Sequence, residues 1–135
     1  MLGELLGQGS GKRTGVRVLP PDGQSPKVEV SIQGSGTLLG HNASEFATYW
    51  QTFKEEGVMY GEGQDLYMTE QGDVAVFKGF GIGRISGPGG AIRYTGSGTF
   101  QTSSERLARL NSVAAVFEFE VDGEGNYSYK TYEWK

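Results

Sequence analysis

Hydrophobic and polar residues alternate in steps of two along most of this chain, a period that predicts β-strands. Over residues 27–39, Val28, Val30 and Ile32 fall on one face and Lys27, Glu29, Ser31 and Gln33 on the other. Residues 112–121 repeat the pattern, setting Val113, Ala115, Phe117, Phe119 and Val121 against Glu118 and Glu120. Residues 91–102 place Ile92, Tyr94 and Phe100 opposite Arg93, Thr95, Ser97, Thr99 and Gln101. Further strands are expected over residues 2–12, 14–19, 58–69, 73–85 and 127–134.

Turn signals separate these runs at short spacing: Pro20-Pro21-Asp22-Gly23, Glu55-Glu56-Gly57, Gln71-Gly72-Asp73, Gly87-Pro88-Gly89-Gly90 and Asp122-Gly123-Glu124-Gly125. Each supplies a residue that fixes φ or tolerates a positive one. Strands joined this tightly are antiparallel neighbours. Two segments read less simply. Residues 42–54 fit a helix capped by Asn42 with Glu45 three residues on, but Phe46, Thr48, Tyr49, Trp50, Thr52 and Phe53 favour a strand, and the strand is preferred. Residues 103–111 fit one or two helical turns, with Ser103 and Ser104 at the cap and Leu107 and Leu110 on one edge.

Glycine changes the picture. The chain holds 23 glycines in 135 residues, more than twice the usual share of ~7%. Many come as Gly-x-Gly units: Gly7–Gly9, Gly34–Gly36, Gly61–Gly63, Gly79–Gly81–Gly83 and Gly96–Gly98. Gly34 and Gly36 continue the apolar face of Val28, Val30 and Ile32, and Gly96 and Gly98 lie between Tyr94 and Phe100. Inward glycines let strands coil sharply, which a sheet needs in order to close on itself. A phosphate cradle is the competing reading and it fails. In Gly7-Gln8-Gly9-Ser10-Gly11-Lys12-Arg13-Thr14 the residue after the lysine is Arg13, and Leu6 stands where the motif opens with glycine. The prediction is therefore an all-β fold, one domain over residues 1–135: a closed antiparallel up-and-down barrel of about eight strands, with one short helix near 103–111. A two-sheet sandwich is the alternative.

Composition narrows the function classes. The net charge is -4 and no basic run is longer than Lys12-Arg13, so no nucleic-acid partner is expected. No stretch of about 18 apolar residues predicts a membrane span, and the start Met1-Leu2-Gly3-Glu4-Leu5-Leu6 does not read as a signal peptide. The chain has no cysteine and a single histidine, His41, so no metal and no cofactor are expected, and the cytoplasm is the expected location.

Several stretches resemble a family of small uncharacterised prokaryotic proteins: Gly36-Thr37-Leu38-Leu39-Gly40, Thr48-Tyr49-Trp50, Tyr60-Gly61-Glu62-Gly63-Gln64, Ser103-Ser104-Glu105-Arg106-Leu107-Ala108-Arg109-Leu110-Asn111 and Tyr132-Glu133-Trp134-Lys135. The resemblance runs through nearly the whole chain and implies no activity. In strand count and glycine use the chain is also similar in architecture to allene oxide cyclase, dirigent and lipocalin barrels, a likeness that transfers no residue.

Candidate chemistry is sparse. His41 sits in an expected loop with Glu45 four residues on, where a lone histidine is usually solvated. Of the acids Glu55, Glu56, Glu62, Asp65, Glu70 and Asp73, Glu62 is singled out because it shares parity with Val58, Tyr60, Leu66 and Met68. Residues 73–85 are semi-apolar on both faces, so one face meets a lumen or another subunit. Lys78 and Arg84 on that strand suit an anionic head group, or snorkel to the rim. Arg106 and Arg109 are expected to pair with Glu118 or a partner chain. The residues expected to contact a ligand are Trp50, Tyr60, Glu62, Lys78, Phe80, Arg84 and Tyr94.

Three functions follow. The first is a binding module holding a small, mostly apolar molecule in the lumen. The second is a barrel packed solid, whose two-faced strands form a homodimer. The third is an enzyme that steers a cyclisation or isomerisation by shape, with Glu62 or a tyrosine as the polar group. Apolar space of about 300 Å³ or more is the mark of an ordinary ligand pocket.

Overall fold

The computed structural model describes residues 1–86 and 89–135, and they form a closed barrel in which each strand pairs with the next and the last with the first. The strands are β1 (Leu2–Asp22), β2 (Ser25–Leu38), β3 (His41–Glu55), β4 (Val58–Thr69), β5 (Val74–Ile85), β6 (Ile92–Thr102), β7 (Ala114–Val121) and β8 (Asn126–Trp134). All eight pairings are antiparallel, and closure runs from Leu2↔Trp134 to Lys12↔Asn126. The up-and-down barrel expected from the sequence is the fold found, and residues 42–54 lie within β3.

One boundary differs. The two strands expected over residues 2–12 and 14–19 are a single strand, β1, with a register shift between Arg13 and Gly15. A bulge bends a strand without ending it, so the break in alternation there marks a kink rather than a turn. The segment beyond it pairs with β2 alone and leaves Val16 and Val18 exposed.

A two-residue hairpin joins β2 to β3 through Leu39 and Gly40, at φ 48° and 78°. Two successive positive φ values make the turn whose twist matches the flanking strands, and Leu39 accepts a conformation that bulky residues rarely adopt. The expected turn at Gly87-Pro88-Gly89-Gly90 falls in part on Gly87 and Pro88, outside the described residues.

The expected helix is a 3₁₀ helix, Glu105–Ser112, between β6 and β7. Its Leu107 and Leu110 are fully buried and join Leu6, Leu38, Ala43 and Phe100 in the core. The helix thus plugs the barrel end where β2, β4 and β6 finish. Arg109 fastens it outside, at 3.0 Å from Glu4 and 2.9 Å from Glu133, and Arg106 reaches Asp73 at 3.5 Å. The pairing expected with Glu118 is not formed, because that carboxylate faces Arg93 on the neighbouring strand at 3.1 Å.

Candidate functional site

The inner wall is built from glycines in register. Across β4, β5 and β6, Gly61 pairs with Gly81 and Gly81 with Gly96; one row along, Gly63 pairs with Gly79 and Gly79 with Gly98. A second bare patch joins β1 to β2 through Gly9↔Gly36 and Gly11↔Gly34. Aromatic rings from elsewhere in the barrel lie on these patches. A Cβ on Gly98 would stand 2.5 Å from the Phe77 ring, one on Gly96 2.8 Å from Phe117, and one on Gly34 within reach of the Tyr127 hydroxyl. Glycine leaves the space and the rings take it.

Between the rings remains a cavity of about 110 Å³. Its wall is mainly apolar, with Ile32, Ala47, Tyr49, Phe77, Phe117 and Phe119 on it. The rings pack edge to face, Tyr49 against Phe119 at 5.8 Å and Phe77 against Phe117 at 5.9 Å between centroids. The volume falls well short of an ordinary ligand pocket and is of the order of the ~150 Å³ engineered apolar cavity known to admit benzene. The lumen is mostly filled, with room left for one small ring.

Two inward-pointing carboxyl groups reach this cavity, from Glu45 on β3 and Asp65 on β4. Inner positions of β3 read Ala43, Glu45, Ala47, so small residues flank the acid along its strand. Ala47 is directly opposite Asp65, and Glu45 is opposite Tyr67, which makes the two acids diagonal neighbours on one face. Glu45 is 1% exposed, and the Tyr127 hydroxyl crosses the lumen from β8 to donate to its Oε1 at 3.0 Å. Glu45 Oε2 and Asp65 Oδ1 are buried without any donor.

Like charges in a dry site cannot both ionise. Burial, followed by the charge of Glu45, pushes Asp65 up to about 9. Burial also raises Glu45, against the opposing pull of the Tyr129 and Tyr127 hydroxyls and of Asp65. One proton shared between the carboxyls gives both orphaned oxygens a partner. The pair then carries one acid and one carboxylate at neutral pH. Burial raises Tyr67, Tyr127 and Tyr129 as well, so their hydroxyls stay protonated and available as donors.

No family model matches the chain, and no curated protein matches it. Solved structures do. A protein of unknown function from Clostridium acetobutylicum superposes with a TM-score of 0.82 at 14% identity, covering 98% of each chain. A β-barrel-like protein from Acinetobacter baumannii gives 0.82 at 18% identity over 100% of this chain and 96% of its own. An enzyme from Penicillium herquei gives 0.66 at 15% identity, over 96% and 92%. At these identities the likeness is one of fold.

Of the residues expected at a site, Tyr94 lines the cavity and is buried, and its hydroxyl donates to Gln51 Oε1 at 2.5 Å across the lumen. Glu62 and Phe80 border the cavity beside the bare glycines, but from outward strand positions. Trp50 and Tyr60 stand outside, where Trp50, Tyr60 and Phe80 form a row of rings and Lys27 lies 4.2 Å over Trp50. Lys78 and Arg84 are exposed on the outer face of β5. The face of β4 chosen from Tyr60, Glu62, Leu66 and Met68 is the outer one. The lumen already holds rings from β6, β7 and β8, and the middle of β4, between the buried Met59 and Tyr67, presents the small Gly61 and Gly63 and then Asp65. β5 is apolar on both sides: Ala75 and Phe77 point inward, while Val74, Val76 and Phe80 are exposed.

His41 opens β3 and is not on the cavity wall. The carboxyl pair is what the sequence reading missed. Glu45 reads from the sequence as part of a cap and Asp65 as one acid among several. The available signal was the run Ala43, Glu45, Ala47, an acid alternating with small apolar residues on one face of a strand. Among the described residues no cluster of acids and histidine is arranged to hold a metal ion, and no helix is long and apolar enough to cross a membrane.

Proposed function

We propose that this barrel binds a small, mostly apolar molecule in its lumen and grips the molecule's one polar group with the Glu45–Asp65 pair. The observation that carries the reading is a fully buried carboxyl group facing a cavity instead of a cation. A buried acid pair costs several kcal/mol against an apolar pair of the same shape, and a purely structural lumen has no use for it. Perturbed acids lining a cavity are a frequent mark of a working site.

The size and chemistry of the chamber define the ligand. About 110 Å³ admits a five- or six-membered ring. The aromatic wall favours an apolar body, and the protonated carboxyl with its tyrosines favours a carbonyl or hydroxyl oxygen. The 3₁₀ helix closes one end, so entry is from the other, past Tyr94 and Gln51. The Penicillium herquei barrel is called an enzyme, which is compatible with a lumen that admits a molecule.

The test is titration with cyclopentanone, followed through the aromatic carbon–proton NMR signals. Saturable shifts confined to rings such as Phe117, Phe119 and Tyr49 are expected, and Ala47→Leu, which fills the chamber, should abolish them. Absence of saturable shifts in the wild-type protein, or their persistence in Ala47→Leu, would overturn the reading.

A further inference from the structure

We infer that the Glu45–Asp65 pair moves protons on a bound molecule, so that the barrel catalyses the shift of a carbon–carbon double bond into conjugation with a carbonyl in a small cyclic ketone. The inference rests on the binding reading above and adds the reaction.

The argument starts from geometry. Two carboxyl groups on adjacent strands, diagonal on the inner face, share a wall of the cavity with each other and with tyrosine. Each has a buried oxygen that no other group of the protein serves. An acid and its conjugate base stand side by side, and which carboxyl is which can exchange with little motion. Such a pair can take a proton from one atom of a molecule and return one to another, and general acid–base groups of this kind contribute about 10² to 10⁴ in rate. A wall carrying Phe77, Phe117 and Phe119 keeps the site low in polarity, which strengthens a hydrogen bond to a developing oxyanion.

The step balances without a co-reactant. The carboxylate removes a proton from the carbon between the carbonyl and the double bond. The C–H electron pair forms a new C=C bond to the carbonyl carbon, and the carbonyl π pair moves to oxygen, where the protonated carboxyl and a tyrosine hydroxyl hold it by hydrogen bonds. The electrons then return from oxygen, the double bond moves into conjugation, and the distal carbon takes the proton from the carboxyl group that removed it. The product is an isomer of the substrate, and the pair ends with the one proton it began with.

The rate should be highest where the pair holds a single proton. It falls at low pH as the base is protonated, and at high pH as the proton of Asp65 is lost.

The experiment uses 3-cyclopentenone with the whole protein in heavy water. Binding is followed by the aromatic NMR shifts and conversion to 2-cyclopentenone by its ultraviolet absorbance. Catalysed conversion is expected, with the transferred proton largely retained and little solvent deuterium in the product. Asp65→Asn and Glu45→Gln should each lower kcat a hundredfold or more while the binding shifts remain, and Lys78→Ala should leave both readouts unchanged. Saturable shifts with conversion no faster than in buffer would overturn this inference and leave the binding reading standing. Equal kcat in wild type and both acid variants would do the same. No saturable shifts at all would overturn both.

Discussion

Glu45 on β3 and Asp65 on β4 are diagonal neighbours inside the barrel, each with one buried carboxyl oxygen that no hydroxyl or amide reaches. Their raised proton affinity has a consequence for stability. The folded pair keeps a proton that the unfolded chain gives up near pH 4, so the fold loses stability as pH rises from about 4 and levels off near 9, where Asp65 releases it. The slope is at most about 1.4 kcal/mol per pH unit for one retained proton. The exposed carboxyls Glu4, hydrogen-bonded by Arg109, and Asp122, hydrogen-bonded by the Asn126 backbone, are shifted downward and act below that window. Urea midpoints at pH 5, 6, 7 and 8 should therefore fall for wild type relative to the Glu45→Gln/Asp65→Asn double variant. Parallel lines would show that the pair ionises alike in folded and unfolded chains.

The hydroxyl of Tyr94 on β6 donates to Gln51 Oε1 on β3 at 2.5 Å, spanning the lumen between the cavity and the end that the helix leaves unplugged. Removing that bridge without emptying the space should ease passage. Tyr94→Phe is expected to raise the association and dissociation rates of cyclopentanone together, with Kd changed less than threefold. NMR exchange broadening measures both rates, and unchanged rates would show that entry lies elsewhere.

Glycine at the coiled positions is a matter of space. A Cβ on Gly36 would collide with the backbone oxygen of Gln8 and lie 2.5 Å from the Cα of Gly9, whereas one on Gly15 would meet nothing within 4 Å. Gly36→Ala must push two strand backbones apart, and overpacking of that kind costs about 1–3 kcal/mol or more. Gly15→Ala should stay within about 0.5 kcal/mol of wild type, as surface changes usually do. Denaturant melts of the two variants make the comparison. Equal stability would mean that the strands need not approach so closely.

The architecture was legible because it rests on local signals. Alternation in β2, β6 and β7 assigned their inner faces, and Gly34, Gly36, Gly96 and Gly98 fell on them as read. The site was not legible because it depends on what crosses the lumen. Whether Glu62 or Asp65 enters is a one-residue question of register on β4, settled by rings that arrive from strands far away in sequence. Tyr127 meets Glu45 across 82 positions of the chain, and no local pattern announces that contact. Trp50 and Tyr60 misled for a related reason: a barrel this narrow has more aromatic residues than its interior can hold, so some pack on the outside.

The shared proton can be counted directly. Carbon-13 labelling of glutamate and aspartate side-chain carboxyls, with a titration from pH 3 to 10, follows Glu45 and Asp65 individually. The account predicts that the pair still holds one proton at pH 7 and gives it up only in the alkaline range. Two carboxyl signals that both complete an ordinary titration near pH 4 would contradict it.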